Sequence, residues 1–186
     1  MPSQNVAVLV GSLRAASYNR AMAHVLASVA PESLKLSIVE IGALVPFNQD
    51  FESGTTPAEY LTFRQTVKAA DAVLFVTPEY NRSIPGVLKN AIDVGSRPYG
   101  QSVFKGKPAA VMSVSLGATG GFGANHHLRQ VLSYLDMPTL GQPEAYIGGA
   151  AGMFDEAGQL KSDATKTFVT DFMKTFSAWV EKIVNV

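Results

Sequence analysis

The stretch that follows the first apolar run of the chain carries side chains suited to binding an anion. The apolar run covers residues 6–10, and residues 11–19 read GSLRAASYN. Ser12, Ser17 and Asn19 offer neutral hydrogen-bonding groups, and Arg14 adds a charged planar fork that can pair with phosphate. A helix that begins near Ser17 would direct its free backbone N–H groups and its positive dipole end at this stretch. The combination predicts an anion site.

The anion that suits this stretch best is a phosphate monoester. A nucleoside triphosphate loop needs the pattern G-x-x-x-x-G-K-[ST], and the stretch after Gly11 lacks it. The dinucleotide pattern G-x-G-x-x-G is also missing. One arginine with neutral donors, and no evident carboxylate for magnesium, fits a single phosphate. The alternative interpretation is that Ser17 only caps a helix and that Arg14 points into solvent.

A second loop, residues 77–86, reads TPEYNRSIPG and follows another apolar run. Two prolines and a glycine hold its backbone in few conformations. A rigid loop of this kind can present backbone N–H and C=O groups to a flat heterocycle, with Tyr80 as an apolar wall. The alternative is a rigid connector that leaves Glu79 in solvent.

A third loop, residues 115–123, reads SLGATGGFG. Its four glycines allow the backbone to approach a ligand closely. Ser115, Thr119 and the backbone amides can then form hydrogen bonds with the edge of a ring. The alternative is a flexible surface loop.

The elements between these loops alternate between apolar runs and segments with helical spacing. Strands are predicted at residues 6–10, 34–41, 72–76, 108–114 and 146–147. Helices are predicted at residues 17–30, 57–70, 85–94, 125–135 and 163–184. This alternation predicts one α/β domain, residues 1–186, with a parallel sheet covered on both faces by helices. Ligands of such sheets bind beyond the carboxyl ends of the strands, where the three loops would meet.

Composition excludes several classes of protein. The chain has no cysteine, which removes disulfides, thiolate catalysis and thiolate metal sites. Its 15 acidic and 15 basic residues form no run of one sign, which argues against a nucleic-acid partner. The first apolar run spans only five residues, so it is typical of a strand and not of a signal peptide or a membrane span. We therefore expect a cytoplasmic protein without a membrane partner.

Side chains for direct catalysis are not evident in the sequence. Neither a G-x-S-x-G nucleophile motif nor an H-E-x-x-H zinc motif occurs. His126 and His127 are adjacent, so they face different sides of a helix and cannot bind one metal together. We expect them at the surface or at a subunit contact, and we expect no metal site. Where side chains offer no acid, base or nucleophile, a cofactor can carry the chemistry.

The motifs taken together resemble the NADPH-dependent FMN reductase family, and in particular its bacterial chromate and quinone reductase branch. The resemblance covers about residues 5–182. It is carried by GSLR with Ser17 and Asn19, by TPEYN with the following PG.LKNAID pattern, and by a later Gly-Gly with Leu-Arg-Gln. It implies a flavodoxin-like three-layer sandwich whose five-stranded parallel sheet has the order 2-1-3-4-5. It also implies a non-covalently bound FMN.

The resemblance assigns residues to the two ends of the flavin. The phosphate would lie on Ser12, Arg14, Ser17 and Asn19. The isoalloxazine would lie against Pro78, Glu79, Tyr80 and Asn81 on one side and Ser115, Gly117, Gly120 and Gly121 on another. The resemblance further implies a homodimer or homotetramer with FMN near the subunit interface.

The activity implied is hydride transfer from NADPH or NADH to FMN, followed by two-electron reduction of a quinone-like acceptor or of chromate. One alternative is a flavodoxin-type electron carrier without a substrate pocket. Another is a binding module that uses the anion site for a different phosphorylated ligand. The middle of the chain contains a concentration of basic residues, namely Arg82, Lys89, Arg97, Lys105 and Lys107. They either assist an anionic acceptor or the phosphate of the nicotinamide nucleotide, or they form a solvated face.

Overall fold

A computed structural model describes residues 3–185 of the chain. Its strands are β1 (Gln4–Val10), β2 (Leu34–Val39), β3 (Ala72–Thr77), β4 (Ala109–Val114) and β5 (Ala145–Ile147). Its helices are α1 (Tyr18–Ser28), α2 (Asp50–Ser53), α3 (Ala58–Lys68), α4 (Gly86–Gly95), α5 (Phe122–Tyr134) and α6 (Asp163–Val184). No helix within this part of the chain is long and apolar enough to cross a membrane.

The strands form one parallel sheet in the order β2-β1-β3-β4-β5, which confirms the predicted flavodoxin-like topology. The chain reverses its direction of travel across the sheet between β1 and β3, so the loops after these two strands lie side by side. The backbone N–H of Gly11 donates to the carbonyl of Val76 at 2.9 Å where the two strands end. A Cβ atom on Gly11 would stand 2.6 Å from Thr77 Oγ1, so this exit requires glycine.

Helices cover both faces of the sheet and bury its central strands completely. Every residue of β3 and β4 is buried, whereas the edge strand β2 is only partly buried. One hydrophobic cluster joins the sheet to α1 and α6, with Met22 and Phe172 among its members. The other joins the sheet to α3, α4 and α5, with Phe63 and Ile92 among its members. The aromatic residues of α6 thus pack in the core.

Several predicted boundaries differ from the structure by two or three residues, and one short helix was not predicted. Helix α5 begins at Phe122, three residues earlier than expected, because Gly121 adopts a left-handed conformation (φ 80°) that starts the helix at once. Strand β2 ends at Val39, where its pairing with Leu9 of β1 ends. The short α2 follows Asn48, whose side chain accepts a hydrogen bond from the backbone N–H of Asp50 at 3.0 Å.

Candidate functional site

The three loops singled out in the sequence meet at the carboxyl edge of the sheet and enclose an open cavity of about 320 Å³. Nine of the predicted site residues line this cavity. They are Ser12, Arg14, Ser17, Asn19, Pro78, Glu79, Tyr80, Ser115 and Gly117. The structure therefore brings together the predicted phosphate-binding residues and part of each predicted ring-binding loop.

The first loop begins with a buried serine and ends at the N-terminus of α1. The hydroxyl of Ser17 accepts a hydrogen bond from the backbone N–H of Arg20 at 3.2 Å, so Ser17 caps the helix as the alternative interpretation expected. Its hydroxyl hydrogen still remains available as a donor. Ser12 is buried and Arg14 is exposed, and both line the cavity. The loop therefore combines neutral donors, one positive charge and a helix N-terminus.

Asn19 connects the first loop to the end of β4 and has an unsatisfied acceptor. Its side chain is 4% exposed, and its amide nitrogen donates to the carbonyl of Val114 at 3.1 Å. The side-chain oxygen of Asn19 is buried without a hydrogen-bond partner. A buried polar atom without a partner costs about 1–3 kcal/mol. A ligand with hydroxyl groups next to its phosphate would supply the missing donor.

Glu79 connects the second loop to the third. Its carboxylate accepts hydrogen bonds from the backbone N–H of Ala124 at 3.1 Å and from the guanidinium of Arg82 at 3.0 Å. Ala124 lies in the first turn of α5, where backbone N–H groups lack partners within the helix. A Cβ atom on Gly123 would stand 2.8 Å from the Glu79 carboxylate, so glycine permits this contact. The interpretation that left Glu79 in solvent is wrong, because its side chain is only 11% exposed.

The capping contact of Glu79 predicts a measurable loss of stability. We expect Glu79→Ala to lower the free energy of unfolding by about 0.5–2 kcal/mol, the usual cost of removing a side-chain cap. Urea unfolding followed by circular dichroism measures this change. The matched control is Glu40→Ala, since Glu40 forms an exposed ion pair with the guanidinium of Arg20 and, within residues 3–185, accepts no hydrogen bond from a backbone N–H group. Equal stability of the two variants would contradict a capping role for Glu79.

The predicted residues Asn81, Gly120 and Gly121 do not line the cavity. Gly120 and Gly121 have positive φ angles of 61° and 80°. A Cβ atom on Gly120 would stand 2.5 Å from the backbone of Tyr146, and one on Gly121 would stand 2.9 Å from the Cβ of Ser113. These two glycines thus let the third loop rest against β4 and β5.

A tight turn at the tip of the second loop accounts for the position of Asn81. Tyr80 and Ser83 exchange two backbone hydrogen bonds of 2.9 and 3.0 Å. The residues between them, Asn81 and Arg82, both have positive φ angles, of 50° and 64°. Such a turn costs conformational energy in residues other than glycine, and it fixes the direction in which Tyr80 and Arg82 leave the loop.

A buried polar network holds α5 against the sheet behind the third loop. The amide nitrogen of Asn125 donates to the hydroxyl of Ser113 and to the carbonyl of Ala145, both at 3.3 Å. The side-chain oxygen of Asn125 accepts from Arg129 at 2.9 Å. Since Asn125 is fully buried, these contacts satisfy all its polar atoms and fix the start of the helix.

The two histidines of α5 contact different elements. His126 forms a 2.8 Å hydrogen bond with the hydroxyl of Tyr146, and His127 forms one of 3.0 Å with the hydroxyl of Ser83. Burial, and next a hydrogen bond with Glu144, raise the pKa of Tyr146 to about 12, so this phenol stays protonated at neutral pH. Among residues 3–185 no group of three or more potential ligands could hold a metal ion.

Some residues of the cavity wall were not predicted as ligand contacts. They are Tyr18, Arg82, Val114 and Leu116. Tyr18, Arg82 and Leu116 lie within loops that the sequence did single out, and Thr119, which was predicted to form hydrogen bonds with the edge of a ring, also lines the cavity. Tyr18 carried no local signal, because its ring stacks on Phe154, 136 positions away, with the ring centres 6.3 Å apart.

Comparison with known proteins shows which family the chain belongs to. The sequence profile described as NADPH-dependent FMN reductase matches residues 4–152. The chain belongs to the NADPH-dependent FMN reductase family. It is an NAD(P)H-dependent oxidoreductase that uses FMN, and the electron-carrier alternative is not favoured.

Individual relatives agree with this assignment. A quinone reductase of Pseudomonas putida is 59% identical and covers 95% of each chain. A 2-hydroxy-1,4-benzoquinone reductase of Burkholderia sp is 47% identical over 94% of this chain and 95% of that protein. FerB, a flavoenzyme NAD(P)H:(acceptor) oxidoreductase from Paracoccus denitrificans, superposes with a TM-score of 0.90 at 40% identity over 96% of this chain and 98% of that one.

The chemical groups that line the cavity match those of FMN. A helix N-terminus, two serines and one arginine match a single phosphate group. The free acceptor of Asn19 matches a donor such as a ribityl hydroxyl. The rigid second loop and the exposed side chains of Tyr80 and Leu116 offer polar backbone groups and apolar surface for a flat ring.

Proposed function

We propose that the chain reduces quinones with electrons from NAD(P)H through an FMN held in the three-loop cavity. The observation that carries this proposal is the convergence of the phosphate-type loop 11–19 with two rigid loops at the switch point of the sheet. Quinones are the acceptors because the relatives with the highest identities quoted above are named quinone reductases.

The residues have distinct tasks in this proposal. Ser12, Arg14, Ser17 and Asn19 bind the phosphate end of the cofactor. Pro78, Glu79 and Tyr80 face the ring from the second loop, and Ser115 and Gly117 do so from the third. Asn81, Gly120 and Gly121 do not line the cavity, and they contribute through the positive φ angles that shape the backbone of these loops.

The protein contributes binding, orientation and exclusion of water, and the cofactor contributes the redox chemistry. When bound, FMN supplies hydride acceptance from NAD(P)H and two-electron donation to the acceptor. Tyr80 and Leu116 are 47% and 61% exposed at the cavity and provide apolar surface on which a nicotinamide or quinone ring can pack. Backbone amides of the rigid loops stabilise negative charge that develops on the ring system, typically by a few kcal/mol for each oriented donor.

The assembly is a homodimer or homotetramer in this proposal. Phe122, 51% exposed, packs on His126 with ring centres 4.3 Å apart, next to the third loop. Together with Leu116 and Tyr80 it gives this edge of the molecule an apolar surface suited to a second subunit. Chromate reduction and a cytoplasmic location stay predictions of the sequence.

Steady-state kinetics test the proposed activity. We expect the FMN-loaded protein to oxidise NADPH or NADH in proportion to added 1,4-benzoquinone, with one quinone reduced for each nicotinamide oxidised. The decrease of nicotinamide absorbance measures the rate, and protein freed of flavin serves as the control. A protein that binds FMN and shows no turnover with either nucleotide would instead support an electron carrier.

A further inference from the structure

A second cavity, which we call the basic cavity, has five basic residues in its wall. Its volume is about 750 Å³, and it lies between the second half of α3 and residues 97–107. The basic residues are Arg64, Lys68, Arg97, Lys105 and Lys107. No described carboxylate lines this cavity. Its wall thus holds a third of the 15 basic residues of a chain whose net charge is zero.

The basic cavity lies at the opposite edge of the sheet from the flavin loops. Lys68 ends α3 just before β3 begins, and Lys107 precedes the start of β4. In a parallel sheet these amino ends face away from the carboxyl ends, where the three-loop cavity opens. Binding of FMN or of a nicotinamide over it therefore gives no reason for this concentration of positive charge.

Two of the cations are held in place by neutral partners. The half-buried ammonium of Lys107 donates to the backbone carbonyls of Lys68 and Ala70. The guanidinium of Arg64 donates to the carbonyl of Val94 at 2.9 Å and lies 5.4 Å from the ring centre of Tyr60. Burial lowers the pKa of both groups, and nearby carboxylates partly oppose this effect, Glu52 for Arg64 and Asp71 for Lys107. Their positions are fixed while their charges keep no direct carboxylate partner.

Nearby acidic residues compensate only part of the positive charge. Glu52 pairs with Arg97 at 2.9 Å, and Asp136 approaches Lys105 at 4.0 Å with both side chains exposed. Arg64, Lys68 and Lys107 form no ion pair with a described carboxylate. The Nε atom of Arg97 and the Oε1 atom of its partner Glu52 are both buried and have no hydrogen-bond partner within residues 3–185. The cavity therefore has positive charge on Arg64, Lys68 and Lys107 that no described carboxylate pairs with directly.

We propose that the basic cavity binds a multiply charged ligand of the phosphate class. Arg64 offers a planar fork for phosphate oxygens, and the lysines offer point charges. Thr56, Gln65, Gln101 and Ser102 add neutral hydrogen-bonding groups around them. The volume accommodates more than one phosphate group, so a pyrophosphate unit is the expected ligand, either free or as part of a nucleotide. This proposal does not rest on the redox function.

Calorimetric titration of the FMN-loaded protein with sodium pyrophosphate, at low and constant ionic strength, tests the proposal. FMN occupies the flavin phosphate site, and the variants described next distinguish the basic cavity from the site of the nicotinamide nucleotide over the flavin. We expect one pyrophosphate for each chain. We expect Lys68→Gln to weaken binding about five- to tenfold, because it removes one charged contact. The matched control Lys35→Gln removes an equal charge from the exposed edge strand β2 and should change the affinity less than about twofold.

Competition by ADP in the same titration distinguishes the two sources of the ligand. Displacement of pyrophosphate by ADP assigns the cavity to a nucleotide, and its absence assigns it to a free phosphate compound. A lack of saturable binding to the wild-type protein would overturn the proposal. Equal weakening by Lys68→Gln and Lys35→Gln would overturn it as well, since that result reports a general charge effect.

Discussion

Arg14→Ala weakens FMN binding about tenfold to hundredfold in our account, because charge-assisted hydrogen bonds contribute about 1.5–3 kcal/mol. Arg14 is exposed at the cavity, so its removal leaves no buried group without a partner and should not disturb the fold. Titration of the flavin-free protein with FMN, followed by quenching of flavin fluorescence, measures the dissociation constant. The turnover number at saturating FMN should change little, since Arg14 binds the phosphate and not the ring.

Arg20→Ala is the matched control for this prediction. Arg20 lies in the first turn of the same helix, but its guanidinium forms an ion pair of 2.7 Å with Glu40 and is not part of the cavity wall. We expect its FMN affinity to stay within about twofold of the wild type. Unchanged affinity of Arg14→Ala, or an equal loss in both variants, would remove Arg14 from the site.

We expect Gly120→Ala to disturb the structure of the third loop and to destabilise the protein. The added Cβ would stand 2.5 Å from the backbone carbon of Tyr146, and the residue would keep a φ of 61° that disfavours a side chain. Steric overlap with backbone and the left-handed conformation together should cost about 2–4 kcal/mol of the free energy of unfolding. FMN affinity should fall as well, because the loop can no longer rest on β5. Chemical unfolding and the FMN titration measure the two effects.

Gly86→Ala provides the control for a general effect of replacing glycine by alanine. Gly86 is the first residue of α4, and an added Cβ meets no atom within 4 Å. We expect stability equal to or slightly above that of the wild type, since alanine is the better helix former. Equal stability of Gly120→Ala and Gly86→Ala would contradict the close contact between the third loop and β5.

Patterns that depend on neighbouring residues predicted most of the fold. Continuous apolar runs located β3 and β4, because strands buried on both faces contain few polar residues. The spacing of Phe172 and Phe176 located α6 to the residue. The early start of α5 was not predicted, because it depends on the left-handed conformation of Gly121. Gly121 packs closely against Ser113 of β4, and the sequence pattern does not show this contact.

The candidate site could be predicted where the ligand-binding side chains lie together within a single loop. Arg14, Ser17 and Pro78 line the cavity because each lies in a loop that begins where a strand ends, and the two strands end at the same edge of the sheet. Contacts between distant segments could not be predicted. The capping of Ala124 by Glu79 spans 45 positions, and the basic cavity joins Arg64 to Lys107 through the packing of α3 against the sheet. Sequence spacing holds no information on such approaches.

A crystal structure of the protein soaked with FMN tests the central claim most directly. We expect the flavin phosphate at the N-terminus of α1, within hydrogen-bond distance of Ser12, Arg14 and Ser17, with the ring between loops 77–86 and 115–123. A structure with loop 11–19 empty and the flavin bound elsewhere would contradict it.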